Sequence, residues 1–125
     1  MEDIYLGIEK KKAIKFCESV VNKLRETSDL LLDHQIAMEE ELDRQISILS
    51  SRTEEHCKKM LETATRTRNV VHEYGWGDIH LLGEQIRFID DQKKNIREAE
   101  DSTRILLIIK SITCVLNKRY NPKEN

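Results

Sequence analysis

The sequence has little with which to make turns. Its 125 residues contain one proline and four glycines, and aromatic side chains make up only 5%. Between Glu9 and Glu73 there is neither a glycine nor a proline, so a helix can run there without interruption. A large excess of either charge is also lacking: 21 basic residues face 23 acidic ones, for a net charge of −2. That balance argues against nucleic acid as a partner, since a nucleic-acid binder carries a strongly basic face. It argues equally against an acidic disordered tail. No stretch reaches the ~18 consecutive apolar residues that a membrane-crossing helix needs. The opening Met1-Glu2-Asp3-Ile4 shows no basic segment leading into an apolar one, so no secretory signal is predicted. The three cysteines, Cys17, Cys57 and Cys114, are far apart and odd in number, which fits a reducing compartment and not a disulfide framework. The expected location is cytoplasmic, or peripheral on a membrane without crossing it.

What is present is charge and aliphatic side chains. Charged residues make up 35% of the chain, and with abundant Glu, Lys, Leu and Ile this is the composition of long helices or coiled coil. Phe16, Val20, Leu24, Leu31, Met38, Leu42 and Leu49 recur in steps that keep one stripe facing inward. Beyond Leu49 the stripe continues more weakly through Cys57, Met60, Leu61, Ala64 and Val70. Gly75-Trp76-Gly77-Asp78 is the strongest punctuation, with Asp78 able to cap a new helix. The expected fold is all-α. It has a first long helical segment over 1–74, a break at 75–78, a second helix over 79–116 with an apolar end, and a frayed tail over 117–125. These segments fold back as a hairpin or join a multi-helix coiled coil; a nearly continuous, kinked rod is the alternative. Trp76 reads as a plug closing the helix corner or as an exposed anchor for a partner.

In the second helix Ile79, Leu82, Ile86, Ile89 and Ile96 are spaced by three, four, three and seven residues. This narrow apolar seam is a candidate surface for partner helices, which could be the first helix, another copy of this chain or other chains. Ile105–Ile109 and Ile112–Leu116 form a short apolar segment interrupted by Lys110-Ser111 and followed by Lys118, Arg119 and Lys123. It reads either as a helix buried in a core or as an interfacial anchor in which Cys114 is a candidate for acylation.

Gly83-Glu84-Gln85-Ile86-Arg87, followed by Arg97-Glu98-Ala99-Glu100 and the Cys114 segment, resembles the first coiled-coil motif of the synaptosome-associated (Qbc) SNARE family. The resemblance covers roughly residues 60–103 and the cysteine-bearing segment behind them. It implies an assembly protein in vesicle trafficking or membrane fusion that acts by zippering with partner helices. Aligned on Gly83-Glu84-Gln85, the family's buried central glutamine is replaced by Leu82, and Gln85 falls off the seam. Glu41-Leu42-Asp43-Arg44-Gln45 is similar to the centre of a glutamine-type motif. It makes Gln45 a candidate polar layer, with Ile46 as the alternative inward residue.

No catalytic residues, metal ligands or cofactor-binding residues are expected. His56 and Cys57 are neighbours, so on a helix they point about 100° apart and cannot pair locally. His34, His72 and His80 fit no metal-ligand spacing, and no phosphate-cradling glycine loop occurs. The two functional expectations are a SNARE-like assembly protein and a non-SNARE helical scaffold subunit of a homo- or hetero-oligomer.

Overall fold

The computed structural model describes residues 2–124. The described chain is all-α: α1 spans Glu2–Ser50, α2 spans Glu55–Arg97, α3 spans Ser102–Leu116, and a single 3-10 turn covers Pro122–Glu124. It divides into two units, Met1–Ser28 with Leu81–Arg119, and Asp29–His80 with Tyr120–Asn125.

The first unit is a three-helix bundle. Ala13, Cys17 and Val21 from α1, Ile89 and Ile96 from α2, Ala99 from the connection, and Ile105, Ile108 and Ile112 from α3 form its core. Cys17, Ile89, Ile96 and Ile112 are fully buried. Each such aliphatic side chain contributes roughly 1.5–3 kcal/mol by leaving water. On α1 the core residues are not the expected ones throughout. Phe16 is 40% exposed while Cys17 is fully buried, because the inward arc is centred one position further along the helix. The third helix begins at Asp101, whose carboxylate accepts the Arg104 N–H at 2.8 Å, satisfying one of the amides that a helix start leaves unpaired. Lys10 Nζ donates to the Arg97 carbonyl at 2.8 Å and so satisfies an acceptor in the last turn of α2.

The second unit is a helical hairpin of α1 from Asp29 onward and α2 up to His80. Its turn is made without glycine or proline. Ser50 Oγ bonds back to the Ile46 carbonyl at 2.7 Å and Ser51 Oγ to Ile48 at 2.8 Å, drawing the last turn away from helical continuation. The Glu54 carbonyl then accepts the Cys57 and Lys58 amides, and Glu55 places a negative charge in the first turn of α2.

These boundaries correct the sequence expectation. The chain breaks at 51–54 and 98–101, and α2 passes through Gly75-Trp76-Gly77 uninterrupted. No glycine adopts positive φ; Gly75 and Gly77 serve close approach instead. A Cβ on Gly75 would overlap the Gln35 carboxamide, and one on Gly77 would come 2.5 Å from the Tyr120 ring. The segment after α3 is correspondingly not frayed throughout. Asn117 caps α3, Tyr120 meets Tyr74 edge-on at 5.7 Å between ring centroids, and Asn121 Oδ1 accepts the Lys123 amide.

The two kinds of helical glycine respond oppositely to alanine. Gly83 has open space where its Cβ would go, so Gly83→Ala is expected to stabilise by about 0.5–1 kcal/mol. Gly75→Ala must expel the Gln35 carboxamide and is expected to destabilise. In a Gln35→Ala background it should become stabilising, a sign change that a double-mutant cycle in urea unfolding would detect.

Candidate interaction surface

Two buried glutamines act as main-chain partners. Gln85 is 4% exposed and donates to the Val115 carbonyl at 2.9 Å, one of the last acceptors of α3. Its burial corrects the expectation that it falls off the seam. Between two packing helices the inward arc of α2 is broader than an a/d seam, and Gln85 lies within it. Gln35, also 4% exposed, donates to the Val71 carbonyl at 2.9 Å across the hairpin. Neither residue carries an apolar-periodicity signal, so their burial was not readable from the pattern.

The expected seam is partly consumed within the chain. Ile89 and Ile96 lie in the bundle core, with Ile86 packed against it. Ile79 and Leu82 are half-buried. Gln45 is exposed and donates to Glu41 Oε1 at 3.2 Å, while Ile46 takes the half-buried place. Cys114 is an exposed free thiol on α3, a helix that turns Ile105, Ile108 and Ile112 inward and Leu106 and Leu107 outward. Cys17 and Cys57 are buried thiols. Burial pushes both above the ordinary thiol range, with Glu54 adding to the effect at Cys57 and Lys93 opposing it at Cys17. Among the described residues no helix is long and apolar enough to cross a membrane. No three His, Cys, Asp or Glu side chains among them gather as a metal site would need.

The hairpin unit has two unlike faces. One is polar and centred on Glu39, which sequence reading did not single out. Trp76 Nε1 donates to Glu39 Oε2 at 2.8 Å, and His72 Nδ1 hydrogen-bonds to Oε1. Arg68 stands 3.8 Å from the same carboxylate and donates through Nε to Asp43 at 3.0 Å. Arg68, His72 and Trp76 recur every fourth residue, so they share one face of α2. That spacing, opposite Glu39 and Asp43 at i, i+4, is the signal that could have located the cluster. Trp76 is thus 36% exposed, lying against Glu39 and not plugging a corner.

The other face is an apolar groove between α1 and α2 enclosing about 420 Å³. Leu42, Leu49, Met60 and Ala64 line it, with Gln45, Lys59, Thr63 and Thr67 as its polar components. Nothing in the hairpin closes this side. Among its described residues only Cys57 and Gln35 are buried, whereas Leu30, Ile48, Met60 and Val70 are each more than half exposed. Apolar exposure on this scale marks an interaction surface more often than a free one.

No protein-family model, curated protein or solved structure matches this chain.

Hydrogen bonding by His72, with the Trp76 and Gln35 donors, holds the Glu39 carboxyl below the usual carboxylate range, against the opposing effect of burial. A depressed folded-state value contributes stability above the unfolded value of 4.5 that is lost as pH falls through the folded value. Glu39→Gln should therefore lower hairpin stability at neutral pH and flatten its loss between pH 4.5 and the depressed folded value. Trp76, the only tryptophan, reports this unit's unfolding directly in fluorescence-monitored urea titrations; an unchanged acid limb would remove Glu39 from the account.

Proposed function

We propose that this chain is a non-enzymatic helical scaffold subunit that uses its open hairpin to dock partner helices. The observation that carries the reading is the contrast in burial between the units. Nine apolar residues form the core of the three-helix bundle, while the two-helix unit buries one apolar residue, Cys57. Two helices alone share a single line of contact, so each stays half-open until further helices cover the pair. The Leu42, Leu49 and Met60 groove is the surface that such helices would occupy.

The SNARE-like reading requires a seam that waits for partners and becomes helical upon zippering. Burial of Ile89 and Ile96 against the chain's own α1 and α3 favours the scaffold instead. Circular dichroism of the purified chain separates the two. The scaffold reading expects strong helicity with a cooperative melt. Weak helicity that rises only on mixing with SNARE helices would replace it with the zippering mechanism.

Docking through the groove has its own test. A photoreactive amino acid at position 60 is expected to crosslink a helical chain, identified by mass spectrometry, in cells producing the protein. The same group at the exposed position 62, turned about 200° around the helix, should not. Equal crosslinking at both positions, or none at 60, would remove the groove from the proposal.

A further inference from the structure

Near its start α1 carries exposed apolar residues and lysines on one outward face, and we propose that this face rests on an anionic lipid surface. Ala13, Cys17 and Val21 turn the other side of α1 into the bundle core. Facing away from that core, Ile4 and Tyr5 are 67% and 66% exposed, and Ile8 and Phe16 are exposed beside them. Lys11, Lys12 and Lys15 lie exposed on the same face. At about 100° per residue these seven positions fill an arc of about 140°, centred opposite the core residues. No acid falls inside the arc. Glu9, half-buried, and Glu18 stand at its two edges, and Glu2 and Asp3 precede it in the sequence. Among the described residues no carboxylate pairs with Lys11, Lys12 or Lys15, whereas Arg25, Arg44, Arg68 and Lys93 each have one.

Three features select a lipid surface over an acidic partner helix. The arc is wider than the narrow seam that one packed helix covers. The depression of about 360 Å³ among Ile8, Lys11 and Lys15 is lined by α1 residues alone, so no second wall holds a peptide in place. The hairpin groove, by contrast, is walled by both of its helices. Finally, all three cations are lysines, a residue that protein interfaces deplete while they favour arginine. A bilayer uses each component. Lysine stems lie along the apolar boundary with their ammonium groups among lipid phosphates, the Tyr5 ring suits headgroup level, and Ile4 and Ile8 enter the edge of the acyl region. Attachment of this kind is reversible and needs no spanning segment. It uses α1, not the Cys114 thiol of α3.

The test is cosedimentation of the full chain with vesicles of mixed phosphatidylserine and phosphatidylcholine, and with phosphatidylcholine alone, with circular dichroism on every variant. Binding to the anionic vesicles, weakened by salt, is expected. Lys11→Glu with Lys12→Glu should lower partitioning by at least about tenfold. Ile4→Gln with Ile8→Gln, which leaves the charge unchanged, should lower it by about tenfold as well. Both pairs are exposed, so helicity should persist. Lys58→Glu with Arg66→Glu makes the same change of net charge on exposed positions of α2 and should leave binding as it was. No preference for anionic vesicles would overturn the proposal. So would binding that ignores Lys11 and Lys12, ignores Ile4 and Ile8, or falls equally with the α2 pair. An acidic protein crosslinked through a photoreactive group at position 12, without vesicle binding, would overturn the lipid assignment and make the face a protein interface.

Discussion

A helix hides its apolar stripe only where neighbours flank it, and the rest of this structure follows from how neighbours are shared out. The first two helices run for 49 and 43 residues, but the third has only 15. Where α3 packs, three helices enclose a core in which Ile89, Ile96 and Ile112 are fully buried. In the hairpin unit α1 and α2 have only each other. The same kinds of side chain there, Leu42, Leu49 and Met60, line an open groove. The number of flanking helices decides which apolar residues of α1 and α2 become core and which remain surface.

Polar residues do part of the work that a larger core would do elsewhere. Gln35 and Gln85 are buried, yet each donates to a main-chain carbonyl of another helix, and no buried side-chain nitrogen or oxygen among the described residues is left without a partner. Burying an amide without such a bond would cost about 1–3 kcal/mol. Gln35 reaches its carbonyl because Gly75 leaves room for it. The Gly-Trp-Gly segment is therefore a packing device. One glycine admits a glutamine, the other a tyrosine, and Trp76 between them turns toward Glu39.

The fold class was legible because helix depends on a short-range pattern, and a long stretch free of glycine and proline leaves few alternatives. The break points were not, since the cues used for them were the wrong ones. Glycine can stand for conformational freedom or for space, and a single sequence does not distinguish the two at Gly75 and Gly77. The real turn is written in Ser50 and Ser51, whose hydroxyls cap carbonyls of their own helix. Serine serves equally well on a solvated helix face, so that signal is weak. The start of α3 had a clearer cue in Asp101-Ser102, masked by reading Glu98-Ala99-Glu100 as part of a continuing helix. The periodicity of the seam isoleucines shows that they need partners, but it does not choose among the first helix, another copy and other chains. For Ile89 and Ile96 the source is the chain's own α1 and α3. The Glu39 cluster depends on two segments 33 residues apart coming level; the four-residue spacing on each helix marks the shared faces but not that they meet.

The arrangement of charge in the hairpin is more ordered than stability alone requires. Exposed ion pairs contribute little each, about 0–1 kcal/mol, and a hairpin could be soluble with both signs mixed along either arm. Instead the stretch of α1 from Asp29 to Asp43 carries six carboxylates and the stretch of α2 from Cys57 to Val70 four basic residues against one acid, so Arg68 finds both Glu39 and Asp43 across the pair. Segregation of this kind disfavours the alternative in which like arms lie together, because six carboxylates would then face six. It selects the antiparallel pairing of α1 with α2 within the chain. The open groove is different: Lys59 is its one charged lining residue, beside Gln45, Thr63 and Thr67. Charge thereby sets how the two helices of the hairpin face each other, while the groove floor of Leu42, Leu49 and Met60 stays apolar.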